Sequence, residues 1–420
     1  MYVHIHPDFR DSPAAQEAAA LTSACVHCGF CLATCPTYLD NRDERDSPRG
    51  RIYLIKSLLE NASGEHAVET HLDRCLTCRS CETTCPSGVE YARIADAGRS
   101  LISHRDGRSP PQRALRWLLR QVVPRPAVFT PLLRIGQGLR GALPSTLRQH
   151  VPPRQRRLPA PTRRLPRRMV LLQGCVQRAA TPPTNDAARR VFDQLGIELV
   201  TATGEDCCGA VNHHLGAHNA ALADMRRTID ALWPHLENGA EAIISSATGC
   251  GVQMADYGRL LADDPAYRDK AARVSELSLD IAEALLLEDV DALPITACTD
   301  AVAVHMPCSQ QHGLGRPDTV QRIMAQCGYR LTATREDHLC CGSAGTYSLL
   351  QPATSARLRA RKLAALTLER PQTIVTANVG CQLHLGAAAD VPVVHWIECL
   401  ARDLPGEPQG ARTEAVTDTP

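Results

Sequence analysis

Four apolar runs set the pattern of the second half of the chain. Met169-Val-Leu-Leu leads to Cys175, and Ala242-Ile-Ile leads to Cys250. Ala301-Val-Ala-Val leads to Cys308, and Thr373-Ile-Val-Thr leads to Cys381. Short apolar runs of this kind read as strands. Stretches with helical character lie between them, around Ala187–Leu195 and Thr319–Cys327, and a further helix precedes each second run. Strand–helix alternation predicts α/β units with parallel strands. The first hundred residues are patterned differently. Ser47-Pro48 reads as a helix start, with Ser as cap and Pro at the first position. Ile52, Ile55, Leu58 and Leu59 then repeat at helical spacing. The fold class this predicts is α+β and multidomain: an α-helical N-terminal domain, then a duplicated α/β domain.

Cysteine placement sharpens the division. The 420-residue chain holds 19 cysteines. Cys25, Cys28, Cys31 and Cys35 precede Pro36, and Cys75, Cys78, Cys81 and Cys85 precede Pro86, so both runs read C-x2-C-x2-C-x3-C-P. Farther on, Cys175, Cys207, Cys208 and Cys250 are echoed by Cys308, Cys340, Cys341 and Cys381, at offsets of 133, 133, 133 and 131 residues. A repeat this regular implies one structural unit used twice. Between the two regions, residues 107–168 carry fifteen arginines, many prolines and no Asp, Glu or Lys. The expected organisation is 1–106, 107–168 as a connector with short helical pieces such as Gln112–Val122, 169–290, 291–405, and a loose tail at 406–420.

The N-terminal spacing suits two [4Fe–4S] clusters and a ferredoxin-like domain. Three cysteines at x2 spacing on one tight loop reach three irons, and the fourth, before Pro, ligates the partner cluster. Cys25, Cys28, Cys31 and Cys85 are thereby expected to hold one cluster, and Cys75, Cys78, Cys81 and Cys35 the other. Four cysteines also suit zinc, but zinc motifs usually separate two C-x2-C pairs by a longer loop. The helix after Ser47 is the spacer that brings the second loop back to the first. His27, between two ligands, reads as a surface residue.

Cys175, Cys207, Cys208, Cys250, Cys308, Cys340, Cys341 and Cys381 are candidates for a further redox or metal site. Each half offers thiols from three loops, and Asp206-Cys-Cys-Gly209 and Leu339-Cys-Cys-Gly342 turn tightly beside sulfur. The alternative is a set of buried structural thiols. Gln253 and His384 stand where a further cysteine would complete a C-x2-C pair, so the site is either incomplete or uses His384. Cys298, Cys327 and Cys399 have no repeat partner and read as core.

Charge and composition narrow the function. Net charge is +1 and aromatics are 4%, which argues against nucleic acid. No apolar run reaches the ~18 residues of a membrane span, and Met1–Arg10 does not read as a signal peptide. The arginine-rich connector fits an anionic membrane surface, an acidic partner subunit or a solvated face. Gly136-Gln-Gly-Leu-Arg-Gly141 matches a dinucleotide fingerprint but lies in this connector, with no acidic residue following at the expected distance. Electron carriers without a flavin or nicotinamide site place the substrate chemistry on another polypeptide, and no catalytic residue is assigned here.

Longer strings carry a family resemblance. Cys25-Val-His-Cys-Gly-Phe-Cys-Leu-Ala-Thr-Cys-Pro-Thr-Tyr38, Asp46-Ser-Pro-Arg-Gly-Arg-Ile-Tyr-Leu-Ile-Lys56 and Arg74-Cys-Leu-Thr-Cys-Arg-Ser-Cys-Glu-Thr-Thr-Cys-Pro-Ser-Gly88 resemble the iron–sulfur subunits of bacterial glycolate oxidases. So do Leu339-Cys-Cys-Gly-Ser-Ala-Gly-Thr-Tyr347 and, in the connector, Gln121-Val-Val-Pro-Arg-Pro-Ala-Val-Phe129. The resemblance implies a hetero-oligomer of three different subunits oxidising glycolate to glyoxylate, and D-lactate to pyruvate. FAD would sit on partner subunits, not on this chain. Electrons would pass through the two clusters to a quinone-level acceptor, at the cytoplasmic face of the inner membrane. Relay subunits for lactate or glycerol-3-phosphate oxidation, and heterodisulfide-reductase-like thiol enzymes, are the alternatives.

Overall fold

The computed structural model describes residues 1–103, 107–295 and 300–405. The N-terminal domain is a helical cluster. Ser47 Oγ accepts from Gly50 N–H and Pro48 opens the helix Pro48–Asn61, a capping arrangement that satisfies otherwise orphaned donors. Its stripe faces inward, with Ile55 and Leu59 0% exposed. It packs between the helices Glu65–Asp73 and Tyr91–Ser103, and the latter also holds Pro13–Thr22.

The C-terminal region folds as two copies of one α/β plan. In the first copy, β1 (Arg167–Leu172), β2 (Ile197–Val200), β3 (Ile243–Ser245) and β4 (Ser278–Asp280) form a parallel sheet in the order β2-β1-β3-β4. In the second copy, β5 (Ala301–His305), β6 (Arg330–Leu331), β7 (Thr373–Thr376) and β8 (Val393–His395) repeat it as β6-β5-β7-β8. In each copy the strand order therefore reverses direction across the sheet at the first strand. The carboxyl ends beside such a reversal are where open α/β sheets place their sites. The predicted helices are present as Pro182–Gln194 and Thr319–Gln326. The two copies share one core, a single cluster that includes Leu171 and Phe192 of the first and Val304 and Trp396 of the second. His395 Nε2 lies 2.8 Å from the Ser246 carbonyl across the same join. Cys399 is buried in this core and Cys327 packs against it. Cys298 and the tail from 406 lie outside the described residues.

The connector is more ordered than its composition suggests. It contains the helices Pro110–Val122 and Pro126–Gly138, the second with Pro131 inside it. Several of its arginines bind carboxylates of the flanking domains: Arg108 and Arg116 meet Asp73, Arg157 meets Asp186, and Arg163 meets Asp193.

Candidate metal centres

Both N-terminal loops wind through the same unusual backbone. Two and four residues after the first cysteine, φ is positive: His27 (55°) and Gly29 (86°) in one loop, Thr77 (51°) and Arg79 (59°) in the other. Left-handed backbone at a β-branched residue is a true outlier, and each such residue costs on the order of 1 kcal/mol. The winding turns successive sulfurs inward. Arg99 braces the second loop, donating to the Thr77 Oγ1 at 3.0 Å and to the Leu72 carbonyl at 3.3 Å.

Two adjoining cavities result. One is lined by Cys25, Cys28, Cys31 and Cys85, with Val26, Phe30, Ile52 and Val89. The other is lined by Cys35, Cys75, Cys78 and Arg51. Cys81, Tyr91 and Pro48 face both. Each cavity thus gathers thiols from both loops, with the last cysteine of one run crossing to the other's cavity. Eight thiols in two such groups fit the donor set that cubane clusters require.

The two cavities differ in surroundings. Cys28 is exposed, as are Val26 and Phe30 at 68% and 61%. Cys78 instead packs with Leu76 against Cys308, Cys340 and Tyr347 of the second α/β copy. That docking is held by Tyr347 Oη on the Arg74 carbonyl at 3.2 Å and by Arg357 on Asp40 at 2.6 Å, while Arg79 on Asp256 at 2.8 Å ties the same loop to the first copy. Beside Cys35 a charge network centres on a buried carboxylate. Asp46, 0% exposed, meets His71 Nδ1 at 2.7 Å, Arg74 at 3.0 Å and Arg51 at 3.5 Å. Burial opposes ionisation of Asp46, but the His71, Asn41 and Arg51 contacts outweigh it and hold the carboxyl below its usual range. Burial likewise opposes the Cys75 thiolate, and the charges of Arg51 and Arg99 pull the thiol below its usual value. Asp43, Asp46 and His71 also bring ligand atoms within 4.8 Å of one another, but Asp46 and His71 are already engaged in the contacts above. Asp46 and Arg51 lie in the Asp46–Lys56 string, whereas His71 lies outside every string that carried the resemblance.

In the C-terminal region, the cysteines of each copy converge at the carboxyl ends of the first three strands. Cys175 Sγ lies 3.6 Å from Cys207 Sγ, and Cys308 Sγ lies 3.7 Å from Cys340 Sγ. Cys208 continues to Cys250, and Cys341 to Cys381. Hydrogen bonds from Cys175 and Cys208 hold the Cys207 thiol well below its usual value, whereas contact with Cys207 and burial push Cys175 up. The second copy adds an imidazole. His305, Cys341 and Cys381 place their ligand atoms within 4.8 Å of one another, all buried. The sequence reading offered His384 for this role. The structure turns it to Ser355, with Nε2 3.2 Å from Oγ. His305 ends β5 three residues before Cys308, a position that an apolar-run reading passes over.

The Cys-Cys-Gly glycines are required by geometry. Gly342 has φ of +92°, and a Cβ there would meet the Ser355 carbonyl at 2.8 Å. Gly209 repeats this at +88°, with the Ala221 carbonyl at 3.0 Å.

Comparison with known proteins agrees with this layout. The 4Fe-4S dicluster domain family matches residues 22–89, and the cysteine-rich domain family matches 169–255 and 302–386. The glycolate oxidase iron–sulfur subunit of Escherichia coli (strain K12) is 46% identical, across 97% of this chain and 100% of that protein. The probable glycolate oxidase iron–sulfur subunit of Bacillus subtilis (strain 168) is 29% identical, across 90% of this chain and 92% of its own. Lactate utilization protein A of Bacillus velezensis is 27% identical over 51% of this chain and 90% of its own length. The crystal structure of a hypothetical protein from Helicobacter pylori shares the fold at a TM-score of 0.56 and 8% identity, over 96% of this chain and 74% of that one.

Proposed function

The chain belongs to the family of glycolate oxidase iron–sulfur subunits, and from that premise we propose that it relays electrons out of a FAD-dependent 2-hydroxy-acid oxidase. Glycolate gives up two electrons and becomes glyoxylate, and D-lactate becomes pyruvate, on FAD held by two further, different subunits. The relay ends at a quinone-level acceptor at the cytoplasmic face of the inner membrane, with the complex attached peripherally. No helix among the described residues is long and apolar enough to cross a membrane.

The observation that carries this reading is the pair of adjoining cavities with crossed thiols. Cys25, Cys28, Cys31 and Cys85 hold one [4Fe–4S] cluster, and Cys75, Cys78, Cys81 and Cys35 hold the other. When bound, each supplies a one-electron carrier, so a two-electron oxidation is drawn off in single steps. The protein's part is to hold and to insulate. The left-handed backbone at His27, Gly29, Thr77 and Arg79 aims the sulfurs. Arg51 and Arg99 offset thiolate charge in a buried setting, and Tyr91 stands between the two sites, its Oη 3.6 Å from Cys75 Sγ.

The test uses the purified complex under anaerobic conditions. Cys78→Ser removes about half of the ~8 iron per chain expected for two cubanes and abolishes electron delivery to a quinone, while glycolate still bleaches the flavin. Loss of flavin reduction in a complex that stays assembled sinks the relay role. A second reading, a thiol or heterodisulfide reductase, is favoured by the converging quartets Cys175, Cys207, Cys208, Cys250 and Cys308, Cys340, Cys341, Cys381. A further cluster there raises iron clearly above ~8 per chain.

A further inference from the structure

The helix Pro126–Gly138 wears an apolar row on the wrong side. Val128, Leu132, Ile135 and Leu139 recur at the helical i, i+4, i+7, i+11 spacing, and they are 38%, 50%, 59% and 57% exposed. A surface helix normally turns such a row to the core and its polar face to water. Here the inward side is occupied as well, by half-buried Phe129 and Leu133 and by Gln137, which donates to the Pro152 carbonyl at 3.3 Å. The neighbouring helix Pro110–Val122 repeats the inversion. Leu119 is its buried anchor, while Leu115, Trp117 and Leu118 are 40%, 60% and 50% exposed.

The charge beside these rows has one sign. No Asp, Glu or Lys occurs in residues 107–168. Arg108, Arg116, Arg157 and Arg163 are occupied by carboxylates of the flanking domains. Arg113, Arg125 and Arg134 are exposed, and none makes an ion pair among the described residues. Helices of thirteen residues are about 20 Å long, too short to span a bilayer and suited to lying in its interface. Exposed apolar rows, a tryptophan and unpaired guanidinium groups together match the chemistry of an anionic phospholipid surface.

We propose that the connector is the membrane-contact surface of this chain: the outer faces of Pro110–Val122 and Pro126–Gly138 enter the headgroup boundary, and Arg113, Arg125 and Arg134 bind lipid phosphates. The inference deepens the peripheral attachment proposed above by assigning it to named residues.

The test is sedimentation of the purified complex with phosphatidylethanolamine vesicles containing phosphatidylglycerol, against neutral phosphatidylcholine vesicles. Binding is expected to the anionic vesicles and to weaken with salt. Leu132→Glu with Ile135→Glu is expected to reduce it at least about tenfold. Each of Arg113→Gln, Arg125→Gln and Arg134→Gln is expected to reduce it about fivefold. Iron content and glycolate-driven flavin reduction should stay at the parent level. Binding that persists undiminished in the Leu132/Ile135 variant overturns this assignment and leaves peripheral attachment standing through another surface. No binding of the parent complex overturns both. Loss of the flavin subunits from the Leu132/Ile135 variant, with vesicle binding retained, assigns the row to a protein partner instead.

Discussion

Gly342 illustrates how single positions carry the site. Its backbone is left-handed, and the Ser355 carbonyl fills the space a side chain would need. Gly342→Ala is expected to destabilise the chain by about 1–3 kcal/mol, read as a lowered Tm. Gly138→Ala, where φ is ordinary and nothing lies within 4 Å, should be neutral or slightly stabilising. The Cys-Cys-Gly triplet made the glycine legible from sequence. The metal-loop backbone was only half legible: Gly29 announces a left-handed residue, but Thr77 and Arg79 do not. They adopt it because the converging sulfurs and Arg99 over-determine the loop. Arg51 was hidden for a different reason. A buried arginine is recognisable only by its partners, and Asp46, His71 and the Cys35 neighbourhood come together through folding.

Elements follow the same division between what pattern reveals and what packing decides. β1, β3, β5 and β7 were readable as apolar runs because both faces of a central parallel strand are covered. The outer strands β4 and β8 are three residues each, β4 polar at both ends and β8 at one, so periodicity has too little length to register. Pro126–Gly138 was masked by Pro131 and by the proline content around it. The end of β4 carries a titration of its own. Asp280 is 1% exposed, and its Oδ1 accepts from Ala282 N–H while Oδ2 has no hydrogen-bond partner among the described residues. Burial raises its pKa to about 7. A raised acid favours the folded state below the unfolded value of about 3.9, and that stability is lost as pH rises through about 7. Asp280→Asn keeps the cap acceptor and removes the titration. It should be more stable than the parent at pH 8, by on the order of 3 kcal/mol, with the difference shrinking toward pH 5. Denaturant unfolding at the two pH values measures it.

The whole molecule sets its two N-terminal cavities in unlike environments, one opening to solvent and one covered by the second α/β copy. In the iron-free chain, timed alkylation followed by mass spectrometry should label Cys28 well before Cys78 or Cys81. Equal rates would mean that the second loop does not stay docked on Cys308, Cys340 and Tyr347. Sequence spacing indicated two clusters and their crossed ligands. It held no information about this asymmetry, which arises from contacts spanning more than two hundred residues.

The crossing of the last cysteines also orders events during synthesis. A nascent chain that has exposed only its first loop offers Cys25, Cys28 and Cys31, and the fourth sulfur of that cavity, Cys85, lies sixty residues downstream of Cys25. Iron delivered early would find an open corner. The helix Pro48–Asn61 must form and fold back before either cavity closes. With the proposed ligand sets, neither cluster can gain its fourth sulfur until both loops are made, so a chain ending between them is expected to hold no cubane, which its iron content would show.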